Sequence, residues 1–189
     1  RKALDGLGIT TETVHPEAGD VLPDVQQVAG AIITGSWSMV TDRADWSERT
    51  AAWVRDMVAA DRALLGVCYG HQLMAHALGG MVDYHPLGRE VGCHQVVLAA
   101  AAKNDDFFAD MPEQFGAYLT HEQSVLVPPP GATVLARSDH DAHQILRYGP
   151  KALSMQFHPE FTAQLMAACI RRRAELLTSE GRDVAAMLS

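Results

Sequence analysis

The stretch that decides the fold is LLGVCYGHQL, from Leu64 to Leu73. Its apolar residues up to Val67 predict a buried β-strand, and a helix is predicted to begin within about three residues, so Cys68 falls on the tight turn between them. Gly66 and Gly70 flank the cysteine at positions i−2 and i+2, where a larger side chain would obstruct a sharp strand-to-helix reversal. This arrangement is typical of a nucleophile elbow, in which the turn lifts the reactive atom clear of the sheet.

Two interpretations of Cys68 compete. Most free cysteines are small buried hydrophobic residues, and composition alone favours that role here. The paired glycines and the position at a helix N-terminus favour a nucleophile, because the positive end of the helix dipole stabilises a thiolate. We therefore predict that Cys68 is a catalytic nucleophile.

A thiol nucleophile needs a base, and the base needs a group that orients it. Among the nine histidines, His158 stands out because it follows the apolar run Ala152–Phe157 and precedes Pro159. Pro159 restricts the backbone just after the imidazole, and Glu160 is placed to accept from the far ring nitrogen. A strand-end histidine and a helix-start acid are the competing interpretations, but the combination with Cys68 favours a triad.

The pattern of predicted strands and helices differs between the two halves of the chain. In the first half, predicted strands alternate with predicted helices, which indicates a parallel sheet with helices on its faces. The second half has shorter strands and turn-rich pieces, and it ends with an amphipathic helix. We predict one α/β domain over residues 1–189, with a mostly parallel central sheet flanked by helices and a smaller antiparallel strand region in the second half.

The individual elements follow from apolar periodicity and from Gly and Pro stop signals. The predicted helices are Asp45–Ala60, His71–Leu78 and Thr162–Leu177, and Arg1–Leu7 is predicted to be the end of a helix. The predicted strands are Thr11–Val14, Val28–Ile33, Ala63–Val67, Met81–Tyr84, Val91–Leu98, Ala117–Thr120, Thr133–Arg137, His143–Tyr148 and Ala152–Phe157.

Composition and motifs disfavour several classes of partner and cofactor. The net charge of −8 disfavours nucleic acid and anionic membrane surfaces. Three cysteines without close spacing indicate free thiols in a reducing compartment, and we expect the cytoplasm. The glycine-rich pieces match neither a P-loop nor a dinucleotide fingerprint, so no cofactor is expected.

Two further clusters carry charge or metal-binding side chains. Asp139–His143 (DHDAH) has the composition of a metal site, but it lacks the helical spacing that puts two histidines on one face and a third ligand for zinc. A polar turn is favoured there, and no metal is expected. Arg171–Arg173 lies in the last predicted helix, where a solvated helix face is favoured over an anion site.

Residues Gly66–Gln72 (GVCYGHQ), followed distally by Gln156–Glu160 (QFHPE), resemble the class I, triad-type glutamine amidotransferase family. More narrowly, the chain is similar to stand-alone proteins related to the glutaminase domain of GMP synthetase. The resemblance runs from about Val28 to the C-terminus, and the two motifs in this order and spacing are strongly specific. It implies a flavodoxin-like fold for the whole chain.

The resemblance implies a role for each matching residue. Cys68 would be the nucleophile, His158 the base and Glu160 the orienting acid. The reaction would release ammonia from the glutamine carboxamide and then hydrolyse a γ-glutamyl thioester. The backbone N–H groups of Tyr69 and Gly35 would form the oxyanion hole.

The resemblance also implies a substrate pocket. Gln72 would face the bound glutamine. Thr120 and His121 match the family's Ser-His-centred loop, whose backbone helps hold the α-amino and α-carboxylate groups of the substrate. Arg89–Gly92 matches a recurrent stretch near that pocket.

Three features depart from the family pattern. Trp37 follows Gly35 and Ser36 where smaller residues or proline are common, which alters access to the pocket. Thr120 replaces the usual serine. The family's first strand has no good counterpart, and we expect it before Arg1, because without it the centre of the sheet would be unpaired.

Three functions remain open at this level. The first is a glutamine amidotransferase or glutaminase that passes ammonia to a separate synthase or to water. The second is a γ-glutamyl hydrolase or peptidase that uses the same triad on γ-glutamyl peptides or conjugates. The third is a non-catalytic regulatory module, which the intact set of Cys68, His158 and Glu160 disfavours.

Overall fold

The computed structural model of the protein describes residues 8–188, and the predicted helix over Arg1–Leu7 lies outside them. Within the described residues the strands are β1 (Gly30–Ile33), β2 (Ala63–Val67), β3 (Met81–Tyr84), β4 (Glu90–Leu98), β5 (Gln114–His121), β6 (Gln123–Val127), β7 (Thr133–Arg137), β8 (Ile145–Gly149) and β9 (Ala152–Met155). The α-helices are α1 (Asp45–Ala59), α2 (Tyr69–Ala77), α3 (Ala163–Arg172), α4 (Ala174–Ser179) and α5 (Val184–Met187). Short 3-10 helices cover Pro16–Ala18, Val25–Gln27, Val40–Asp42 and Ala100–Asn104.

Seven strands form the main sheet in the order β1-β2-β9-β8-β7-β4-β5. Strands β1, β2 and β9 are parallel neighbours, and the remaining pairs of this sheet are antiparallel. Strands β3 and β6 form a separate two-stranded antiparallel sheet. The predicted α/β fold class, with an added antiparallel region in the second half of the chain, is confirmed.

Helix α1 shows why this part of the chain is helical. Its buried residues Ser47, Thr50, Ala51 and Val54 recur at the spacing of one helix face. That face packs with α2 against one side of the sheet, in a cluster that includes Leu73. The other side of the sheet carries a second cluster, whose fully buried members include Val96, Leu119, Ala136 and Ile145.

Register decides where Cys68 and the residues after β9 lie. Because β2 and β9 are parallel and in register from Leu64 with Ala152 to Val67 with Met155, the residues after both strands leave the sheet at the same edge. The amide of Cys68 donates to the carbonyl of Met155 at 2.9 Å. The carboxyl ends of neighbouring parallel strands are where α/β folds place their binding sites.

Several predicted elements need correction. The strand predicted over Thr11–Val14 is wrong, because this segment is irregular and pairs with no described strand. The single helix predicted over Thr162–Leu177 is interrupted at Arg173, whose ψ of 15° separates α3 from α4. Strand β6 and helix α5 were not predicted. The strand predicted over Val28–Ile33 is confirmed only from Gly30, and β1 is half-exposed rather than buried.

Strand β1 stands at one edge of the main sheet, and its Ile32 side chain is 47% exposed. The expectation of a further strand before Arg1 stays a prediction. Among the described residues, no helix combines the length and the apolar character that a membrane span requires.

Candidate active site

Cys68 sits on the turn between β2 and α2, as the residue that caps the helix N-terminus. Its backbone has φ 53° and ψ −105°, a conformation that residues with a side chain rarely adopt and that is found mainly where function requires it. Its side chain is 7% exposed. The sharp turn predicted from the sequence therefore exists, and it holds the thiol at the edge of the sheet.

The two flanking glycines are required by close backbone packing. A Cβ atom on Gly66 would lie 2.5 Å from the carbonyl oxygen of Gly70. A Cβ atom on Gly70 would collide with the carbonyl oxygen of Ile33, at the end of β1. Both glycines thus let α2 start directly above the strands.

His158 follows β9 and is held from two sides. Its backbone N–H donates to the carbonyl of Tyr118 at 2.9 Å, so an isolated bridge to strand β5 holds its backbone. Its Nδ1 lies 2.7 Å from Oε1 of Glu160, and its ring stacks on Phe161 at 4.0 Å between centroids. The imidazole is 7% exposed, whereas the side chain of Glu160 is 46% exposed.

Gly35 brings the third strand end into the same place. A Cβ atom at Gly35 would lie 2.9 Å from Cε1 and 3.7 Å from Nε2 of His158, and 3.6 Å from Cβ of Cys68. The Nε2 edge of the imidazole therefore faces Gly35 and Cys68, while Nδ1 faces Glu160. The structure thus brings together Gly35, Cys68, His158 and Glu160, which follow β1, β2 and β9.

Electrostatics favour a protonated imidazole in this arrangement. Burial lowers the pKa of His158, but hydrogen bonds and charges of Cys68 and Glu160 outweigh it and raise the pKa to about 9. Burial likewise acts to raise the pKa of Glu160, but the hydrogen bond and charge of His158 bring the pKa below its ordinary value. These shifts are what an imidazole between a thiol and a carboxylate produces.

A pocket opens beside Cys68. Its wall contains the predicted substrate residues Gln72, Thr120 and His121, together with Tyr69. The Gln72 amide donates to the carbonyl of Gln123 at 2.6 Å and to Oε1 of Gln156 at 3.0 Å, which fixes its orientation in the wall. The hydroxyl of Tyr69 lies 2.5 Å from Oγ of Ser47 in α1, which anchors the end of this side chain to that helix.

A buried hydrogen-bond network holds His121. Its Nε2 lies 2.9 Å from Oε2 of Glu90, and its Nδ1 lies 2.9 Å from the carbonyl of Gln123. Ser138 and Gln144 donate to the same glutamate at 2.9 and 3.0 Å. Burial acts to raise the pKa of Glu90, but His121 and Ser138 bring the pKa below its ordinary value. The network makes the wall around His121 rigid.

The candidate metal cluster has other partners. His140 Nε2 lies 2.9 Å from the carbonyl of Gly88, and His143 Nδ1 lies 2.6 Å from the carbonyl of Val125. Asp141 accepts from the backbone N–H of His143 at 2.8 Å. Within residues 8–188, no group of three or more His, Cys, Asp and Glu residues is arranged to hold a metal ion.

Two arginines stand in the wall of the pocket, Arg89, which is buried, and Arg173. Arg89 belongs to a stretch that was predicted near the pocket, but Arg173 was not predicted there. The Arg173 guanidinium lies 4.3 Å from the centroid of the Trp37 ring, and Trp37 lines the same pocket. The sequence does show an unusual tryptophan in the loop at Gly35 (the glycine loop) and the run Arg171–Arg173. Nothing in it indicated that these segments meet.

Comparison with known proteins identifies the family of this chain. The model of the family described as glutamine amidotransferase class-I matches residues 2–174. A glutamine-hydrolyzing GMP synthase subunit of Methanopyrus kandleri is 30% identical over 161 residues, which cover 85% of this chain and 81% of that protein. Gamma-glutamyl peptidase 5 of Arabidopsis thaliana is 27% identical over 159 residues, or 83% of this chain.

The chain spans 63% and 60% of the length of the gamma-glutamyl peptidases 5 and 2 of Arabidopsis thaliana. Among solved structures, a glutamine amidotransferase from Thermotoga maritima has the same fold with a TM-score of 0.84, at 20% identity, and the match covers 99% of this chain and 80% of that one. A glutamine amidotransferase from Methylobacillus flagellatus has a TM-score of 0.79 at 26% identity, over 93% of this chain and 68% of that one. The chain belongs to the class I glutamine amidotransferase family.

Proposed function

We propose that this protein hydrolyses the side-chain amide of glutamine through a γ-glutamyl thioester on Cys68 and releases ammonia. The observation that carries the proposal is the position of His158 between the other two groups. Its Nδ1 lies 2.7 Å from Glu160, and its opposite edge faces Cys68 across Gly35. A thiol beside an imidazole that a carboxylate orients is the arrangement that cysteine nucleophiles use.

The proposed chemistry follows from this arrangement. The Cys68 thiolate attacks the carboxamide carbon, and the backbone N–H groups of Tyr69 and Gly35 stabilise the oxyanion. The protonated His158 gives its proton to the departing nitrogen, which leaves as ammonia when the C–N bond breaks. His158 then takes a proton from water, the hydroxide attacks the thioester, and glutamate leaves as Cys68 regains its thiolate form.

A second candidate is hydrolysis of γ-glutamyl peptides or conjugates by the same three residues. It is supported by the gamma-glutamyl peptidases of Arabidopsis thaliana among the similar proteins. The chemistry differs only in the leaving group, which is an amine instead of ammonia. The similarity to the GMP synthase subunit of Methanopyrus kandleri instead supports a separate synthase that accepts the ammonia.

We also place the protein in the cytoplasm. Cys68, Cys93 and Cys169 are free thiols, which supports a reducing compartment.

The test compares the two leaving groups directly. Purified protein is incubated with glutamine and, separately, with a series of γ-glutamyl dipeptides. Ammonia is measured in the first reaction, and the free amino acid in the second. Glutamine hydrolysis at the higher kcat/KM supports the first function, and dipeptide hydrolysis at the higher kcat/KM supports the second.

The matched control is Cys93→Ala, which removes an exposed cysteine and should leave both activities unchanged. Cys68→Ala should abolish both. If Cys68→Ala retains wild-type rates, or if wild-type protein hydrolyses neither substrate class alone or with a candidate synthase, the enzymatic proposal is refuted and the non-catalytic interpretation replaces it.

A further inference from the structure

The wall of the Cys68 pocket contains arginine charge that nearby carboxylates do not fully neutralise. Arg89 forms ion pairs with Glu122 at 2.6 Å and with Glu180 at 3.3 Å. Arg172 and Arg173 form no ion pair with any carboxylate among residues 8–188. In a chain with a net charge of −8, two unpaired guanidinium groups beside a catalytic pocket are unexpected.

Arg173 differs from Arg172 in what it faces. Both guanidinium groups lie over the Trp37 ring, Arg173 at 4.3 Å and Arg172 at 5.2 Å from its centroid. Only Arg173 is part of the pocket wall that Cys68 also lines. Arg173 is half-buried, whereas Arg172 is exposed. The break between α3 and α4 occurs at Arg173 and thus coincides with the residue that faces the pocket.

The contact with Trp37 orients the guanidinium but does not neutralise it. A cation over an indole face is attracted to the ring, and the N–H groups of the Arg173 guanidinium remain able to donate hydrogen bonds. Partial burial and the positive charge of Arg89 lower the pKa of Arg173, and the charge of Arg172 acts in the same direction. A neighbouring anion would relieve this repulsion.

We propose that the Arg173 guanidinium, held against Trp37, binds a carboxylate of a γ-glutamyl substrate. This inference rests on the proposed function, because it assumes that such a compound occupies the Cys68 pocket. Every γ-glutamyl compound carries an α-carboxylate, and a γ-glutamyl amino acid carries a second carboxylate on its leaving amine. A planar guanidinium matches either group with two parallel hydrogen bonds.

Glu122 is an acidic residue whose charge acts on Arg173. It lies in the same pocket wall, and its charge acts on Arg173 to raise the pKa of the guanidinium. However, the Glu122 carboxylate is already engaged in the 2.6 Å ion pair with Arg89. Arg173 is therefore the guanidinium of the wall that is left to receive a substrate carboxylate.

The experiment measures equilibrium binding to the Cys68→Ala protein by calorimetry, so that it does not depend on turnover. Three ligands separate the two carboxylates. γ-Glutamylglycine carries both, γ-glutamylglycinamide carries only the α-carboxylate, and 4-aminobutanoylglycine carries only the carboxylate of the leaving amine. Each is titrated into the parent and into the same protein with Arg173→Gln, Arg173→Lys or Arg172→Gln added.

Arg173→Gln should weaken the binding of γ-glutamylglycine by about tenfold, the effect of losing one charge-assisted contact at a partly exposed site. Arg173→Lys should restore part of the loss, because it keeps the charge without the planar fork. Arg172→Gln should change the affinity by less than about twofold. If Arg173→Gln also weakens the binding of γ-glutamylglycinamide but not of 4-aminobutanoylglycine, Arg173 binds the α-carboxylate. If it weakens the binding of 4-aminobutanoylglycine but not of γ-glutamylglycinamide, Arg173 binds the carboxylate of the leaving amine.

Equal affinities of the parent and Arg173→Gln proteins for all three ligands would overturn the inference. Equal losses in the Arg173→Gln and Arg172→Gln proteins would also overturn it, because they would reflect general electrostatics. If the Cys68→Ala protein binds none of the ligands, the inference fails, and hydrolysis by the wild-type protein decides the proposed function independently.

Discussion

Gly35 lies directly against the imidazole of His158, closer than any side chain would allow. A methyl group added at Gly35 would come within 2.9 Å of Cε1 of that ring. We expect Gly35→Ala to displace the imidazole or the glycine loop and to lower kcat for the best substrate by about 100-fold, since misplacement by about 1 Å has effects of that size. Steady-state kinetics measure the loss.

Gly149→Ala is the matched control for this substitution. A Cβ atom at Gly149 meets nothing within 4 Å, so this variant should keep wild-type kcat. Thermal unfolding should show that both variants are folded. A Gly35→Ala protein with wild-type kcat would mean that the close approach of Gly35 to His158 has no role in catalysis.

A second prediction concerns pH. In the proposed mechanism, His158 must be protonated to give a proton to the leaving nitrogen, and the pKa of His158 is raised to about 9. The wild-type kcat/KM should therefore fall as pH rises through about 9. Glu160→Gln removes a hydrogen-bonded charge that raises this pKa, so its activity should fall at a lower pH, and its maximal rate should be lower by about 100-fold.

The same shift affects stability in a defined direction. Because the pKa of His158 is higher in the folded protein than its ordinary 6.5, its contribution to the free energy of unfolding is full below pH 6.5 and is lost as pH rises through about 9. Glu160→Gln should weaken this loss, and Glu113→Gln, at an exposed site, should leave it unchanged. For the prediction on catalysis, identical pH–rate profiles of the wild-type and Glu160→Gln proteins would contradict the role of Glu160 in raising the pKa of His158.

Thiol reactivity provides a third test. Cys93 is exposed and Cys68 is buried, so accessibility alone would make Cys93 react first. We expect iodoacetamide to modify Cys68 faster than Cys93 or Cys169 at neutral pH, because the positively charged imidazole of His158 lies beside the Cys68 sulfur. Mass spectrometry of timed digests measures the three rates.

His158→Asn should remove the preference for Cys68, since the stabilising charge is lost. Burial raises the pKa of the Cys169 thiol, in spite of the opposing charges of Arg172 and Arg173, so Cys169 should react slowly in both proteins. Rates that follow exposure alone in the wild type would argue against an activated nucleophile at Cys68.

A fourth prediction concerns His71, on the buried face of α2. Its Nδ1 lies 2.7 Å from Oγ of Ser154, and burial lowers the pKa of His71 to about 3, outweighing the charge of Asp141. As pH falls below 6.5, the unfolded chain takes up a proton here that the folded protein does not. Stability should therefore fall by up to about 1.4 kcal/mol per pH unit from pH 6.5 toward pH 3.

Urea unfolding at a series of pH values measures this dependence. His71→Leu should be less steep over that range, because the titrating group is gone. His15→Ala, which removes an exposed histidine, should keep the wild-type slope. An unchanged slope in His71→Leu would show that other groups dominate acid unfolding.

The parts of the site that are local in sequence could be predicted. The elbow at Cys68 and the strand-end His158 with Glu160 each depend on a few consecutive residues, so periodicity, glycine spacing and proline were sufficient to place them. The strand over Thr11–Val14 was wrong for the same reason. Local alternation does not reveal whether a neighbouring strand exists, and here none is described.

The pocket wall could be predicted only in part. Thr120 and His121 were assigned from a resemblance, but the pair of His121 with Glu90 joins residues 31 apart along the chain. The contact of Trp37 with Arg173 depends on how the end of α3 packs over the glycine loop. Such long-range contacts follow from the tertiary arrangement, which no single segment encodes.

The left-handed backbone of Cys68 has an evolutionary consequence. Its φ of 53° is one that glycine adopts freely and that other residues adopt at an energetic penalty of roughly 1–3 kcal/mol. Selection for stability alone would therefore tend to replace this cysteine with glycine. In a lineage that no longer needs the proposed chemistry, drift would be expected to replace Cys68 first, while Gly66 and Gly70, which the packing requires, would persist.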